Sequence, residues 1–189
     1  LLLWTNASAT VANALVTDNS LFVHSVDATL FTSAIAVTFH NGTIAGTHVE
    51  RLWHALGRLF VSPSVAIANS DIVTLTIRCT ENERYPSFYS DGLAIRTTEL
   101  HVADSSFRNW TASMSARSSD MTWLFVVYHP QSVRFDYGQR LVMERSTLRA
   151  LTGAALINVG GTSKNGSVSL TDTVIADCQK PAPARKGIS

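Results

Sequence analysis

The chain has 189 residues, 46% hydrophobic and 15% charged, with a formal net charge of +1. That length can bury one continuous core, and so small a charge excess excludes the basic footprint of a nucleic-acid binder and a polybasic membrane-surface patch. Ser and Thr together number 41, about a fifth of the residues and high against ordinary usage, as suits an extracellular β-rich domain.

The first residues, Leu1-Leu2-Leu3-Trp4, lack an initiating Met and form an apolar run too short for a signal sequence or a membrane span. Leu2 to Ala9 partly fits, as half of an earlier coil, a frame that recurs five times downstream: apolar, any, apolar, any, polar turn residue, small, any, apolar. The frame runs from Val37 to Ile44, Val65 to Ile72, Leu100 to Phe107, Leu141 to Leu148 and Val168 to Ile175. Successive starts lie 28, 35, 41 and 27 residues apart, within the roughly 20–50 residue spacing of stacked repeats.

A strand points alternate side chains to opposite faces, so the two apolar residues that open each frame face one core. Asn41, Asn69, Asp104 and Asp172 follow as turn residues, suited by local hydrogen bonding and by tolerance of left-handed dihedrals. Arg145 takes that place in the fourth frame and is expected to interrupt a polar ladder there. Ile44, Ile72, Phe107, Leu148 and Ile175 then point inward again, and three positions later come Thr47, Leu75, Trp110, Leu151 and Cys178. Upstream runs supply a further strand: Leu21-Phe22-Val23 before the first frame, then Leu59-Phe60-Val61, Leu93-Ala94-Ile95, Leu124 to Val127 and Ala155 to Val159.

Strand, turn, strand, turn, strand is one coil of a parallel β-helix. The expected fold is therefore an all-β, pectin-lyase-like solenoid of about five to six coils over residues 1–178, an uncapped segment of a longer protein. An antiparallel β-sandwich is the alternative, but a sandwich has no reason to repeat a turn residue at one frame position. Residues 179–189 are Pro-rich and basic and read as a linker or disordered tail. One helix is a candidate from Thr47 to Leu59, where Val49, Leu52, Trp53, Leu56 and Phe60 follow helical spacing and Gly57 supplies a stop; an irregular excursion against the wall is the equal alternative.

Cys79 and Cys178 are the two cysteines. Coil spacing sets them about three units, roughly 14 Å, apart, too far for a mutual disulfide. Four Asn-x-Ser/Thr sequons occur, at Asn6, Asn41, Asn109 and Asn165, where composition alone supplies about two. Asn165, in a Gly-rich stretch, is the best acceptor, and Asn41, wanted in the turn, the worst.

His24, His40, His48, His54, His101 and His129 have no metal-ligand spacing, and no phosphate loop or nucleophile elbow is present. Asp104 and Asp172 share a frame position two units apart and read as turn formers rather than as catalytic carboxylates. Neither a metal nor a cofactor is expected. Contact with a partner is most plausible on two long connections, through Tyr85, Phe88 and Tyr89 in the first and Phe135 and Tyr137 in the second, where aromatics beside polar groups suit sugar stacking or protein docking. Aromatics folded back onto the coil wall are the plainer alternative.

The frame, the Ser/Thr content, the phrases from Leu100 to Phe107 and from Leu141 to Leu148, and Gly153-Ala154-Ala155-Leu156-Ile157 resemble the dispersed gene family surface proteins of trypanosomes. The resemblance extends from about Leu21 to Cys178. It implies a fragment of a surface or secreted protein of an adhesive kind; the expected function is an interaction scaffold without catalytic activity, with a host-cell or matrix protein or glycan as the expected partner. It carries over no catalytic residue. The chain departs from that family in having no membrane span or cysteine-rich module. A polysaccharide-active lyase or hydrolase on a β-helix is the alternative function.

Overall fold

A residue with positive φ bends an extended chain sharply, and Asn and Asp tolerate that conformation better than other residues bearing a Cβ. In the computed structural model Asn13, Asn41, Asn69, Asp104, Arg145 and Asp172 all adopt it, with φ between 44° and 53°. The structure describes residues 3–18, 20–23, 28–52, 57–80, 95–114, 123–127, 140–152, 155–159 and 166–179.

The strands are grouped here by the turn residue they flank. The first level holds β1 (Leu3–Thr5), β2 (Ala9–Ala12), β3 (Leu15–Thr17) and β4 (Ser20–Val23), and the second β5 (Ala28–Ser33), β6 (Ala36–His40) and β7 (Thr43–Leu52). The third holds β8 (Gly57–Ala68) and β9 (Asp71–Thr80), and the fourth β10 (Ile95–Ala103) and β11 (Ser106–Met114). The fifth holds β12 (Trp123–Val127), β13 (Arg140–Glu144) and β14 (Thr147–Thr152), and the sixth β15 (Ala155–Val159), β16 (Ser167–Thr171) and β17 (Val174–Ala176).

Among the described residues these strands form one sheet of ten and one of seven, and every pairing between them is parallel. There is no helix among them, and so none long and apolar enough to cross a membrane. Parallel strands in two sheets, joined at a stacked corner, are consistent with a parallel β-solenoid.

The register follows the sequence frame residue by residue. Val37, Val65, Leu100, Leu141 and Val168 are paired in one column, and Ile44, Ile72, Phe107, Leu148 and Ile175 in another. The upstream runs form a third column of Leu3, Phe31, Phe60, Ile95, Phe125 and Ile157. The core lies between these columns. Phe31, Phe39 and Phe60 meet there at centroid distances of 5.3 to 5.8 Å, and Trp110 is fully buried with its Nε1–H donating to the Ile72 carbonyl at 3.0 Å.

Four sequence expectations are corrected. The helix from Thr47 to Leu59 does not form: Thr43–Leu52 is strand β7, and Thr47 to Leu52 pair in register with Leu75 to Thr80 of β9. That ladder supplies its backbone partners, and the apparent helical spacing arises because the apolar residues are shared between β7 and β8; Trp53 and Leu56 lie outside the described residues. The earliest frame is Ala9 to Val16, with Asn13 at the turn, not Leu2 to Ala9. Ala9 pairs with Val37 and Leu3 with Phe31, and Ala9 is too weakly apolar to stand out. Leu21-Phe22-Val23 pairs with Val49 to Arg51 in the smaller sheet, so the run upstream of Val37 is Leu30-Phe31-Thr32. Arg145 does not interrupt the polar column, since it holds the same left-handed conformation as its neighbours and its guanidinium bonds the Asp104 carboxylate of the level before.

A second left-handed column lies five residues after the first in every level, at Asp18, Gly46, Thr74, Asn109, Ala150 and Asp177. Gly46 suits it doubly, because a Cβ there would meet the Asp18 carboxylate at 2.7 Å. Inside the first corner runs a ladder of buried hydroxyls. Ser70, Ser105 and Ser146 each donate to the carbonyl two residues back at 2.6 to 2.7 Å. Each also accepts an amide from the level before: Gly42 N–H onto Ser70, Ser70 N–H onto Ser105 and Ser105 N–H onto Ser146. Gly42 holds this position without a side chain because the Phe39 ring fills the space, 2.4 Å from where a Cβ would stand.

Candidate functional site

The alternation that buries Val65, Ile67, Leu100, Val102, Leu141 and Met143 turns the residues between them outward. On that outer face Ser64 pairs with Glu99 and Glu99 with Arg140, while Ala66 pairs with His101 and His101 with Val142. Small Ser64 and Ala66 beside longer side chains leave a shallow groove of about 370 Å³, lined also by Glu144. Two carboxylates, an imidazole and a guanidinium thus face one trough, a set able to hydrogen-bond a hydroxyl-rich ligand.

Glu144 joins the groove to the corner. Arg145 folds along the stack and grips Asp104 with two bonds, Nε to Oδ1 at 2.7 Å and Nη2 to Oδ2 at 2.8 Å, and reaches Glu144 at 3.4 Å. The Arg145 hydrogen bonds hold the Asp104 carboxyl below its ordinary value of 3.8, and Asp104 in turn raises Arg145. Beside them, Arg108 meets Asp71 at 3.3 Å. Asn69, Asp71, Asp104, Ser106, Arg145 and Thr147 line a second shallow depression of about 510 Å³ at this corner.

Of the residues expected from sequence, Asn6, Asn41 and Asn109 are exposed, the last two at left-handed bends in different columns. Asp104 and Asp172 both lie in the first left-handed column, with Arg145 between them. Cys178 is a free, half-buried thiol that packs against the core, its Sγ 3.3 Å from the Ala176 carbonyl. Asn165, Tyr85, Phe88, Tyr89, Phe135 and Tyr137 lie outside the described residues.

The strands that flank the two aromatic connections are described. The first leaves the smaller sheet after Thr80 and returns at Ile95; the second leaves the larger sheet after Val127 and returns at Arg140, which lines the groove. Among the described residues no three of His, Cys, Asp and Glu gather closely enough to hold a metal ion. Sequence reasoning missed Glu99, His101, Arg140 and Glu144 as a group. The signal was there: each falls on the outward parity of the frame at the Leu100 and Leu141 levels. No protein-family model matches the chain, and neither a curated protein nor a solved structure matches it.

Proposed function

We propose that this chain is a six-coil segment of an extracellular parallel β-helix, pectin-lyase-like in architecture, which acts as an adhesion or interaction scaffold for a host-cell or matrix protein or glycan. The observation that carries this reading is the unbroken register from β2 to β16, a rigid stack that changes length mainly at its connections. Insertions borne on a rigid scaffold are where binding residues concentrate. The likeness of the frame to trypanosome dispersed gene family surface proteins supports the same placement, with glycans on Asn6, Asn41, Asn109 and Asn165. The test is binding of the chain to a panel of glycans and matrix proteins. Replacing Tyr85, Phe88 and Tyr89, or Phe135 and Tyr137, by Ala should weaken that binding while the far-UV spectrum stays unchanged; undiminished binding by both variants would remove the loops from the account.

A second reading is favoured by the groove, where Glu99 beside Arg140 and Glu144 stand at opposite ends with His101 between them. Carboxylates, an imidazole and a guanidinium in one trough are groups that acid–base cleavage of a polysaccharide draws on. Steady release of reducing ends or unsaturated uronates, abolished by Glu99→Gln or Glu144→Gln, would establish it in place of the scaffold.

A further inference from the structure

The corner depression and the groove differ in how their charges are used. At the corner each charged side chain is already engaged: Arg145 holds Asp104 through two bonds at 2.7 and 2.8 Å, and Arg108 holds Asp71 at 3.3 Å. A ligand there would have to break these pairs. In the groove, by contrast, no hydrogen bond or ion pair among the described residues engages the side chains of Glu99, His101 or Arg140. Their bonding capacity is open to a ligand.

The strand register sets these groups out in order. Arg140 stands beside Glu99, one strand spacing away; His101 follows two residues on along the same face, and Glu144 pairs with Ala103, two residues further. From Glu99 to Glu144 the groove runs four residue steps, about 13 Å at ~3.3 Å per residue, which is room for a di- or trisaccharide. Ala66 and Val142 flank His101 on either side, both half-buried, and offer small apolar surfaces on which the C–H face of a sugar ring can rest. A peptide is served less well. Strand β10 is paired on both sides, with β8 and β13, so no further strand can add to it there. The lining residues include no Phe, Tyr or Trp and their Leu100 is buried, so the desolvated pocket that anchors a protein partner is missing among them.

The charges balance. Glu99 has Arg140 beside it and Glu144 has Arg145 at 3.4 Å, so each carboxylate is matched by a guanidinium and the trough carries no excess of either sign to draw an ion. Its groups remain strong partners for hydroxyls: the carboxylates accept, the guanidinium donates and the imidazole can do either.

We propose that the groove binds an uncharged oligosaccharide, laid along β10 and β13 with Glu99 accepting from sugar hydroxyls, Arg140 donating to sugar oxygens and His101 between them. The proposal rests on the reading of the chain as a glycan-binding scaffold and adds a site and a charge class: hydroxyl groups, rather than uronate or sulfate groups, are what this trough recognises.

The test is titration calorimetry of the full chain with mannotriose, galactotriose and trigalacturonate. At least one neutral trisaccharide should bind, more tightly than trigalacturonate and with an affinity that holds between ~0.01 M and ~1 M salt, since no net charge is screened. Glu99→Gln and Arg140→Met should each weaken it about tenfold or more, the effect of losing one hydrogen bond to a charged group, with the far-UV spectrum unchanged. Should either variant lose its β signal, His101→Ala probes the same trough, with a loss of about fivefold. Preference for trigalacturonate, or an affinity that falls steeply with salt, would overturn the charge class. Full affinity in the folded groove variants would overturn the site and leave the glycan-binding reading standing. If neither neutral trisaccharide binds, the proposal falls; binding of the chain to other glycans would then show that the scaffold reading survives without it.

Discussion

Ser105→Ala isolates one step of the buried hydroxyl ladder. Ser105 is 5% exposed; its Oγ donates to the Ala103 carbonyl at 2.7 Å and accepts the Ser70 amide at 3.2 Å. The carbonyl is not orphaned by the change, because it also accepts from the Asn69 amide at 3.0 Å. What is left bare is the Ser70 N–H, in a chain segment 4% exposed. A buried donor without a partner costs about 1–3 kcal/mol, which in a domain of this size lowers the melting temperature by about 2–12 °C. Chemical denaturation and thermal melts of Ser105→Ala would be read against Ser106→Ala, whose side chain is turned outward and partly exposed. The control should stay within about 0.5 kcal/mol of wild type. Equal stabilities for the two variants would refute the ladder as a source of stability and reduce Ser105 to a space filler.

Three further perturbations follow from the same geometry. Gly42→Ala drives a methyl group into the Phe39 ring, 2.4 Å away, and should cost about 1–3 kcal/mol by overpacking, measured by denaturant titration. Thr74 is β-branched at φ 55°; Thr74→Asn should stabilise the fold by about 0.5–1 kcal/mol, because Asn adopts that conformation more readily, and a melt that falls instead would show that the Thr side chain is needed there. The Asp104 carboxyl, depressed by its Arg145 hydrogen bonds, should titrate below its ordinary 3.8 in an NMR pH series and return toward that value in Arg145→Ala. Because the folded-state value is the lower one, the pair's small, solvent-screened contribution is present above pH 3.8 and is lost as pH falls through the folded-state value.

The inward columns were legible in the sequence because burial on one face forces a period of two, and because turn residues recur where the stack must bend. Val37, Val65, Leu100, Leu141 and Val168 needed no structure to be aligned. The second left-handed column was not legible: Asp18, Gly46, Thr74, Asn109, Ala150 and Asp177 share a backbone conformation but no side-chain chemistry. The hydroxyl ladder showed in sequence only as a preference for small residues after the turn, since hydrogen bonding between levels has no local signature. Thr47 to Leu52 misled because helix and strand periods coincide over a few residues, and pairing with β9 decided the outcome. The groove escaped notice because its members come from three levels, separated by 41 residues where Glu99 meets Arg140.

The central claim is the stack itself, and its most direct test is a series of spin-label distances along the first corner. With Cys79 and Cys178 replaced by Ala, labels would be placed at Asp172 and, in turn, at Asn69, Asn41 and Asn13, all exposed and in one column. At ~4.8 Å per level the backbone separations should be about 14, 19 and 24 Å. A steady increase of one strand spacing per level is the result the parallel stack predicts. Separations that do not rise by that increment, or that fall between Asn69 and Asn13, would contradict it.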